Sequence, residues 1–279
     1  MNVICVSDLH GNDVKYRKLC SYIKQKLPDA VLIAGDILPN YYLTDPEDFI
    51  KYTLKPLLEE LKNEIKDKYP PIYIITGNDD AAISSEYIEY LELKELAVYA
   101  NSRIIKHGEY YIFGYPYIPP TPFLLKDWEK YDVSRFTPRD CVSPEDGIRT
   151  IEVPANVKKF SLIKDDLNEF ASKIKDFSKT ICLFHTPPCE TNLDRIYAND
   201  INGSKEILCV GSYGVRRFIE KFQPLFTVHG HIHESTEISG SWMDKIGETV
   251  CINASHSASE LAVTDVDTDF PEAAKRVLL

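Results

Sequence analysis

No stretch of the 279-residue sequence holds 18 consecutive apolar residues, and the opening MNVICVSD has only a short apolar run with no basic segment ahead of it. A membrane span and a cleaved leader are therefore not expected, and the location read from this is cytoplasmic. Cysteine is sparse and unpatterned. The seven (Cys5, Cys20, Cys141, Cys182, Cys189, Cys209 and Cys251) are odd in number, scattered, and lack the short paired spacings of zinc ribbons. This argues against a disulfide framework. Four of them sit inside apolar runs, where a free thiol packs as a small hydrophobe, and this suits a reducing compartment. Positive charge is also short: 32 Lys and Arg face 43 Asp and Glu, a formal net charge of −11. Such a surface lacks the cationic footprint of a protein that tracks a nucleic-acid polymer. Bound metal ions reverse the field locally, so the acidic total leaves small anionic substrates open. Internal repeats and low-complexity tracts are absent as well.

What is present is an ordinary globular composition, 44% hydrophobic and 27% charged, arranged as short β-branched runs alternating with helix-period stretches. Val3 to Val6 reads as a strand; Tyr16, Leu19, Cys20, Ile23 and Leu27 follow at helical spacing, and Ala30 to Ala34 is a second strand. A further helix is predicted within Pro46 to Lys68 from the stripe Leu54, Leu57, Leu58, Leu61 and Ile65, with Pro56 breaking or beginning it. Strands follow at Ile72 to Thr76, from Tyr111, near Thr180 to Phe184 and at Leu225 to His229, with a helix within Ile163 to Lys175. Another helix starts at Ser212 as N-cap and buries Val215, Phe218, Ile219 and Phe222, leaving Arg216 and Arg217 off the stripe. After His233 the pattern changes to short strands, Thr249 to Asn253 and Leu261 to Val266. The chain reads as one α/β domain over residues 1–279 with irregular insertions at about 119–157 and 191–208.

Polar clusters close these apolar strands. Asp8-Leu9-His10 follows the first, Gly35-Asp36 the second, and Gly77-Asn78-Asp79-Asp80 the third. His185 ends TICLF, and Gly230-His231-Ile232-His233 ends LFTVH. The crevice beyond the carboxyl ends of strands in an open α/β sheet is where ligands collect. Any one of these matches is weak, since D-x-H alone is more often a turn Asp beside a surface His. Their recurrence at one topological position is not.

In this order the blocks D-x-H, G-D, G-N-x-(D/E), a lone His and G-H-x-H resemble the signature of the calcineurin-like metallophosphoesterases, over positions 8 to 233. The FHTPP and HGHIHES segments resemble one lineage of small Icc-like phosphoesterases. The resemblance implies an αββα sandwich of two mixed β-sheets flanked by helices, with the active site at the strand C-terminal ends. It implies two divalent transition-metal ions (Mn, Fe, Co, Ni or Zn), manganese being one candidate. The first would be held by Asp8, His10, Asp36 and His233, the second by Asp36, Asn78, His185 and His231. Carboxylate and imidazole donors suit such borderline metals. The implied reaction is hydrolysis of a small phosphorylated substrate by a hydroxide bridging the ions.

One position departs from the pattern. Many members carry His after the Asn of the third block, where this chain has Asp79. An ionised carboxylate there repels a dianionic monoester more than a monoanionic diester, which favours a phosphodiesterase. Asp79 and Asp80 are the candidate catalytic residues, Asp80 as an orienter of a ligand or of its loop; Asn78 and Arg216 are candidate substrate contacts. Asn12 is read as a helix cap, His229 as a packed side chain, and His256 as a loop residue able to approach the site, while His107 matches no block. Tyr117, Phe123, Trp128, Tyr131 and Tyr197 in the insertions either stack on a planar substrate group or pack as a cap. Two other readings remain: a phosphomonoesterase or nucleotide pyrophosphatase with the same ligands, and a catalytically silent protein-binding module on the same scaffold.

Overall fold

The apolar runs that precede each polar cluster all become strands in the computed structural model, which describes residues 1–199 and 203–279. Strands β1 (Asn2–Val6), β2 (Ala30–Ala34), β3 (Ile72–Ile75) and β4 (Val98–Tyr99) run parallel in one six-stranded sheet. Strands β5 (Arg103–His107), β6 (Tyr110–Tyr115), β7 (Thr180–Phe184), β10 (Phe226–His229), β11 (Met243–Ile246) and β12 (Thr249–Asn253) form a second. In it β6, β7, β10 and β12 are parallel, and β5 and β11 close the edges antiparallel. Strands β13 (Ala262–Asp267) and β14 (Lys275–Leu278) return antiparallel to the first sheet beside β1. Both sheets are therefore mixed.

Strand alternation sorts the side chains into three apolar layers. Val3, Cys5, Leu32 and Ile75 meet Ile112, Leu183, Val228 and Ile252 between the sheets. Ile4, Val6, Ile33 and Ile74 face outward against helices α1 (Asp13–Lys26), α3 (Lys55–Ile65) and α4 (Ser85–Leu93), the last of these not anticipated from the sequence. Phe113, Phe184 and Cys251 face outward on the other side against α6 (Ile163–Ala171) and α7 (Tyr213–Phe222). The result is the αββα sandwich. Strands buried on both faces explain why the sequence reads as near-continuous apolar runs rather than alternating ones.

Local chemistry sets the element ends. Asn12 Oδ1 accepts the Lys15 N–H and caps α1, and Ser212 Oγ accepts the Val215 N–H and caps α7. Pro56 begins α3 rather than breaking it: the short helix α2 (Pro46–Phe49) continues through a π-turn, Ile50–Leu54, whose wider ring reaches the first turn of α3 ahead of the missing proline N–H.

The two insertions differ from each other. The first is largely irregular up to the short helix α5 (Ala155–Phe160), and is held by a fully buried Lys126–Glu129 ion pair, with Thr121 donating to Glu129 and accepting from Lys126. The second, expected to be irregular, carries a β-hairpin of β8 (Arg195–Asn199) and β9 (Lys205–Cys209); residues 200–202 of that expectation lie outside the described residues. The strand signal was hidden because hairpin positions 203–209 are all exposed, so no apolar alternation marks them. A last short helix, α8 (Ser235–Ser239), follows the G-H-x-H block. Among the described residues no helix is long and apolar enough to cross a membrane.

Candidate metal centre

Because β1, β2 and β3 are parallel neighbours, the loops after them emerge side by side, and the loops after β7 and β10 meet them from the second sheet. The loops are stitched together by backbone bonds: the amides of Asp8, His10 and Gly11 donate to Gly35, Asp36 and Ile37, and Gly230 donates to the His185 carbonyl. Asp8, His10, Asp36 and His231 all have positive φ, between 46° and 68°. Non-glycine residues rarely adopt that region, and its concentration here marks strained turns that aim four side chains inward. Gly35 and Gly77 allow the close approach. A Cβ on Gly35 would lie 2.3 Å from His185 Nδ1, and one on Gly77 would lie 2.3 Å from Asp36 Oδ1.

The structure gathers Asp8, His10, Asp36, Asn78, His185 and His233 into one cluster. His233 Nε2 lies 3.0 Å from Asp8 Oδ1 and 3.5 Å from His10 Nε2, and His10 Nε2 lies 3.8 Å from Asp36 Oδ2. His185 Nε2 lies 3.3 Å from Asp36 Oδ2 and 3.1 Å from Asn78 Oδ1. Three groups in it, Asp8–His10–His233, Asp8–Asp36–His185 and His10–Asp36–Asp79, each bring their donor atoms close enough together to hold a cation. His231 stands beside them, its ring 5.3 Å from that of His185, and its amide donates to Asp8.

Hydrogen bonding fixes the polarity of the centre. His185 Nδ1 donates to the Ala34 carbonyl at 2.8 Å, which leaves Nε2 as the lone-pair nitrogen of the neutral ring. Asn78 Nδ2 donates to Asp79, which turns its amide oxygen toward the same Nε2. One ring nitrogen and two oxygen acceptors thus converge, an arrangement that a cation between them satisfies. In its absence a proton takes the place. Burial lowers the His185 pKa, but Asp36 and Asp8 outweigh it and push it up to about 10. Burial likewise raises Asp8 and Asp36, yet His233 and His185 respectively hold both below the usual carboxylate range. Burial and the charge of His185 press His231 down to about 3. The donor set therefore fits divalent cations: two buried carboxylates, an amide oxygen and imidazole nitrogens.

The remaining candidates are placed as follows. Asp79 is half-exposed at the edge, its Oδ2 3.7 Å from His10 Nδ1, and burial with Asp36 nearby raises its pKa to about 6. Asp80 is fully buried and turned to backbone, not to the open side of the cluster. It accepts the amides of Ile37, Leu38 and Gly77, which fastens the Asp36 loop to the Asn78 loop. Burial and Asp36 push its pKa up to about 8 against those donors. Arg216 is not brought to the cluster. Its Nη1 donates to the carbonyls of Cys189 and Glu190 and its Nε to Glu220, so it ties α7 to the segment that leads into the second insertion.

His229 is packed. Its Nδ1 donates to the Thr186 carbonyl, Nε2 accepts from Thr227, and the ring stacks on Phe184. His256 Nδ1 is buried without a partner, and His107 pairs with Tyr73 Oη. Lys15, which the sequence reading did not single out, places its ammonium 3.4 Å from the Asp8 carbonyl; only the position of the α1 N-terminus reveals it.

A cavity of about 480 Å³ opens next to the centre, with His231, Ile232 and Glu234 as one wall and the two insertions as the others. Of the aromatics expected there, Phe123 lines it. Trp128 donates to the Asp80 carbonyl, Tyr117 packs on Trp128, and Tyr131 bonds Ser143 and Glu145, so these three pack as a cap. Tyr197 stays half-exposed on β8, under Lys205. Phe136 and Tyr213 line the cavity instead.

A family model described as calcineurin-like phosphoesterase matches residues 1–235. Among solved structures, the chain is similar to the protein TT1561 of Thermus thermophilus, with 16% identity, TM-score 0.58, and 99% of this chain and 98% of that one covered. It is also similar to a dimetal phosphatase from Danio rerio, with 10% identity, TM-score 0.52, and 95% and 92% covered. No curated protein sequence matches.

Proposed function

The chain belongs to the calcineurin-like phosphoesterase family, and we propose that it is a metal-dependent phosphodiesterase acting on a small substrate at the cluster between Asp8 and His233. The observation that carries this reading is the convergence of His185 Nε2 with Asp36 and Asn78 oxygens beside Asp8, His10 and His233, a set of donors that a divalent cation can share. Asp8, His10, Asp36 and His233 would hold one divalent ion, and Asp36, Asn78, His185 and His231 a second. When bound, such a pair supplies Lewis-acid polarisation of phosphoryl oxygens and a strongly acidified water at neutral pH.

The protein's own groups do the rest. Asp80 holds two ligand loops in register and is a positioning residue. His185 is oriented by Ala34 and Asn78 by Asp79. The Asp79 carboxylate at the edge disfavours a dianionic monoester relative to a monoanionic diester. Water adds to phosphorus, the ester P–O bond breaks, and the alcohol leaves with a proton. All seven cysteines are free, which suits the cytoplasmic location we assign.

The test is hydrolysis of bis(p-nitrophenyl) phosphate beside p-nitrophenyl phosphate, with Mn, Co, Ni, Zn or Mg added. Metal-dependent diester turnover that drops to background in Asp36→Ala is the expected result. A monoester preference would reverse the role given to Asp79. No turnover with any metal would remove the catalytic reading and favour the silent binding module.

A further inference from the structure

The cavity beside the centre has a chemistry that the metal ligands do not specify. Its insertion walls are mainly hydrocarbon: Pro119, Phe123 and Phe136 from the first, Ile196, Leu208 and Tyr213 from the second and its flank. Ile196 and Leu208 face each other across the hairpin, which places the β8–β9 pair as one wall. Among the described residues no lysine or arginine lines it, and the charged side chains that do are Asp132 and Glu234. Asp132 is already satisfied, accepting from Ser212 Oγ at 2.6 Å and from the amides of Tyr213 and Gly214. The Tyr213 hydroxyl is turned to Glu190. A second phosphate finds no cation there, and the edge of a base would meet few groups, Ser134 and Glu234 among them, so most of its polar atoms would be buried without partners, which is costly. His231 borders both this cavity and His185, so a group seated in it is joined directly to the reacting centre.

We infer that the cavity takes an uncharged hydrocarbon arm of the substrate, so that the enzyme hydrolyses phosphodiesters of an apolar alcohol rather than nucleotides or sugar phosphates. This rests on the phosphodiesterase reading above. The volume, about 480 Å³, falls within the ~300–1,000 Å³ that enclose small organic ligands. Alkyl chains and aromatic rings share the recognising chemistry, and the substrate series separates them.

The experiment uses p-nitrophenyl phosphodiesters whose second arm is methyl, ethyl, propyl, butyl, octyl or phenyl, with the metal-loaded full chain. Each methylene up to butyl is expected to raise kcat/KM about fourfold, from ~0.8 kcal/mol per buried CH₂. The phenyl arm gaining more than butyl would identify a flat ring, and less a flexible chain; either supports the inference. Leu208→Glu and Phe136→Glu alter exposed positions. They are expected to flatten the series by at least tenfold while leaving the melting temperature unchanged. A parallel calorimetric titration with O-butyl and O-methyl methylphosphonate reads binding without turnover, and only the butyl compound should show the negative heat-capacity change of apolar burial.

Methyl-ester turnover with no chain-length dependence in rate or binding would overturn this inference and leave the phosphodiesterase standing. Chain-length-dependent binding without turnover would do the reverse. A concentration-dependent dimer abolished by Leu208→Glu, with a flat series, would assign the cavity to a second copy of the chain and overturn the inference.

Discussion

At His185 a single hydrogen bond decides what the ring can do. Nδ1 is committed to the Ala34 carbonyl, so Nε2 faces Asp36 and Asn78 either as a protonated donor or as a metal ligand. The pKa of about 10 in the cation-free chain means that this nitrogen carries a proton at neutral pH. A divalent ion must displace it, so apparent affinity rises with pH up to about 10 and falls below it. Calorimetry in two buffers of different ionisation enthalpy should therefore show about one proton released by His185 per chain at pH 7, and about one fewer in His185→Gln. Equal release in the two proteins would contradict the assignment. The residue types at these positions were legible in the sequence because each closes an apolar run. The positive φ at Asp8, His10, Asp36 and His231 was not, since it arises from loops pressed against one another rather than from local propensity.

At the scale of elements, the loops after β1, β2, β3, β7 and β10 carry the candidate ligands, and separate devices hold them. Asp80 joins two loops of the first sheet. Arg216, expected from its place off the α7 stripe to be free for substrate, instead grips two carbonyls of the segment that leads into the hairpin. Helical periodicity showed which side it leaves the stripe on, but not that another loop passes there. Arg216→Ala should leave kcat/KM for a diester within about twofold of the parent. It should lower stability by about 1–2 kcal/mol, the loss of three hydrogen bonds from a charged donor that is partly exposed. Urea unfolding and limited proteolysis of segment 189–199 read this. A large rise in KM with unchanged stability would restore Arg216 as a substrate contact. The β8–β9 hairpin and α4 escaped the sequence reading for related reasons: exposed hairpin strands carry no alternation, and α4 buries only Ile88 and Leu91.

On the scale of the whole molecule, the centre is a seam. Asp8, His10, Asp36 and Asn78 come from the first sheet, and His185, His231 and His233 from the second, so ions bound there cross-link the two halves of the sandwich. Saturation at about 100-fold over Kd stabilises the folded state by ~2.7 kcal/mol, and for a chain of this size that corresponds to a melting-temperature rise of about 5 °C. Chelation should reverse it, and Asp36→Ala should not show it; a melt insensitive to every added metal would mean that no ion joins the sheets. The sequence by itself determined the polar blocks that meet at the centre, the strands that carry them and the layered α/β class. These follow from side-chain periodicity and from short blocks contiguous in the chain. Only the tertiary structure decided which loops touch, that Trp128 and Tyr131 serve as cap, that Phe136 and Tyr213 wall the cavity, and that Arg216 is occupied. Those contacts join residues far apart in the chain, such as Trp128 with Asp80 and Arg216 with Cys189, and no local pattern encodes a partner that distant.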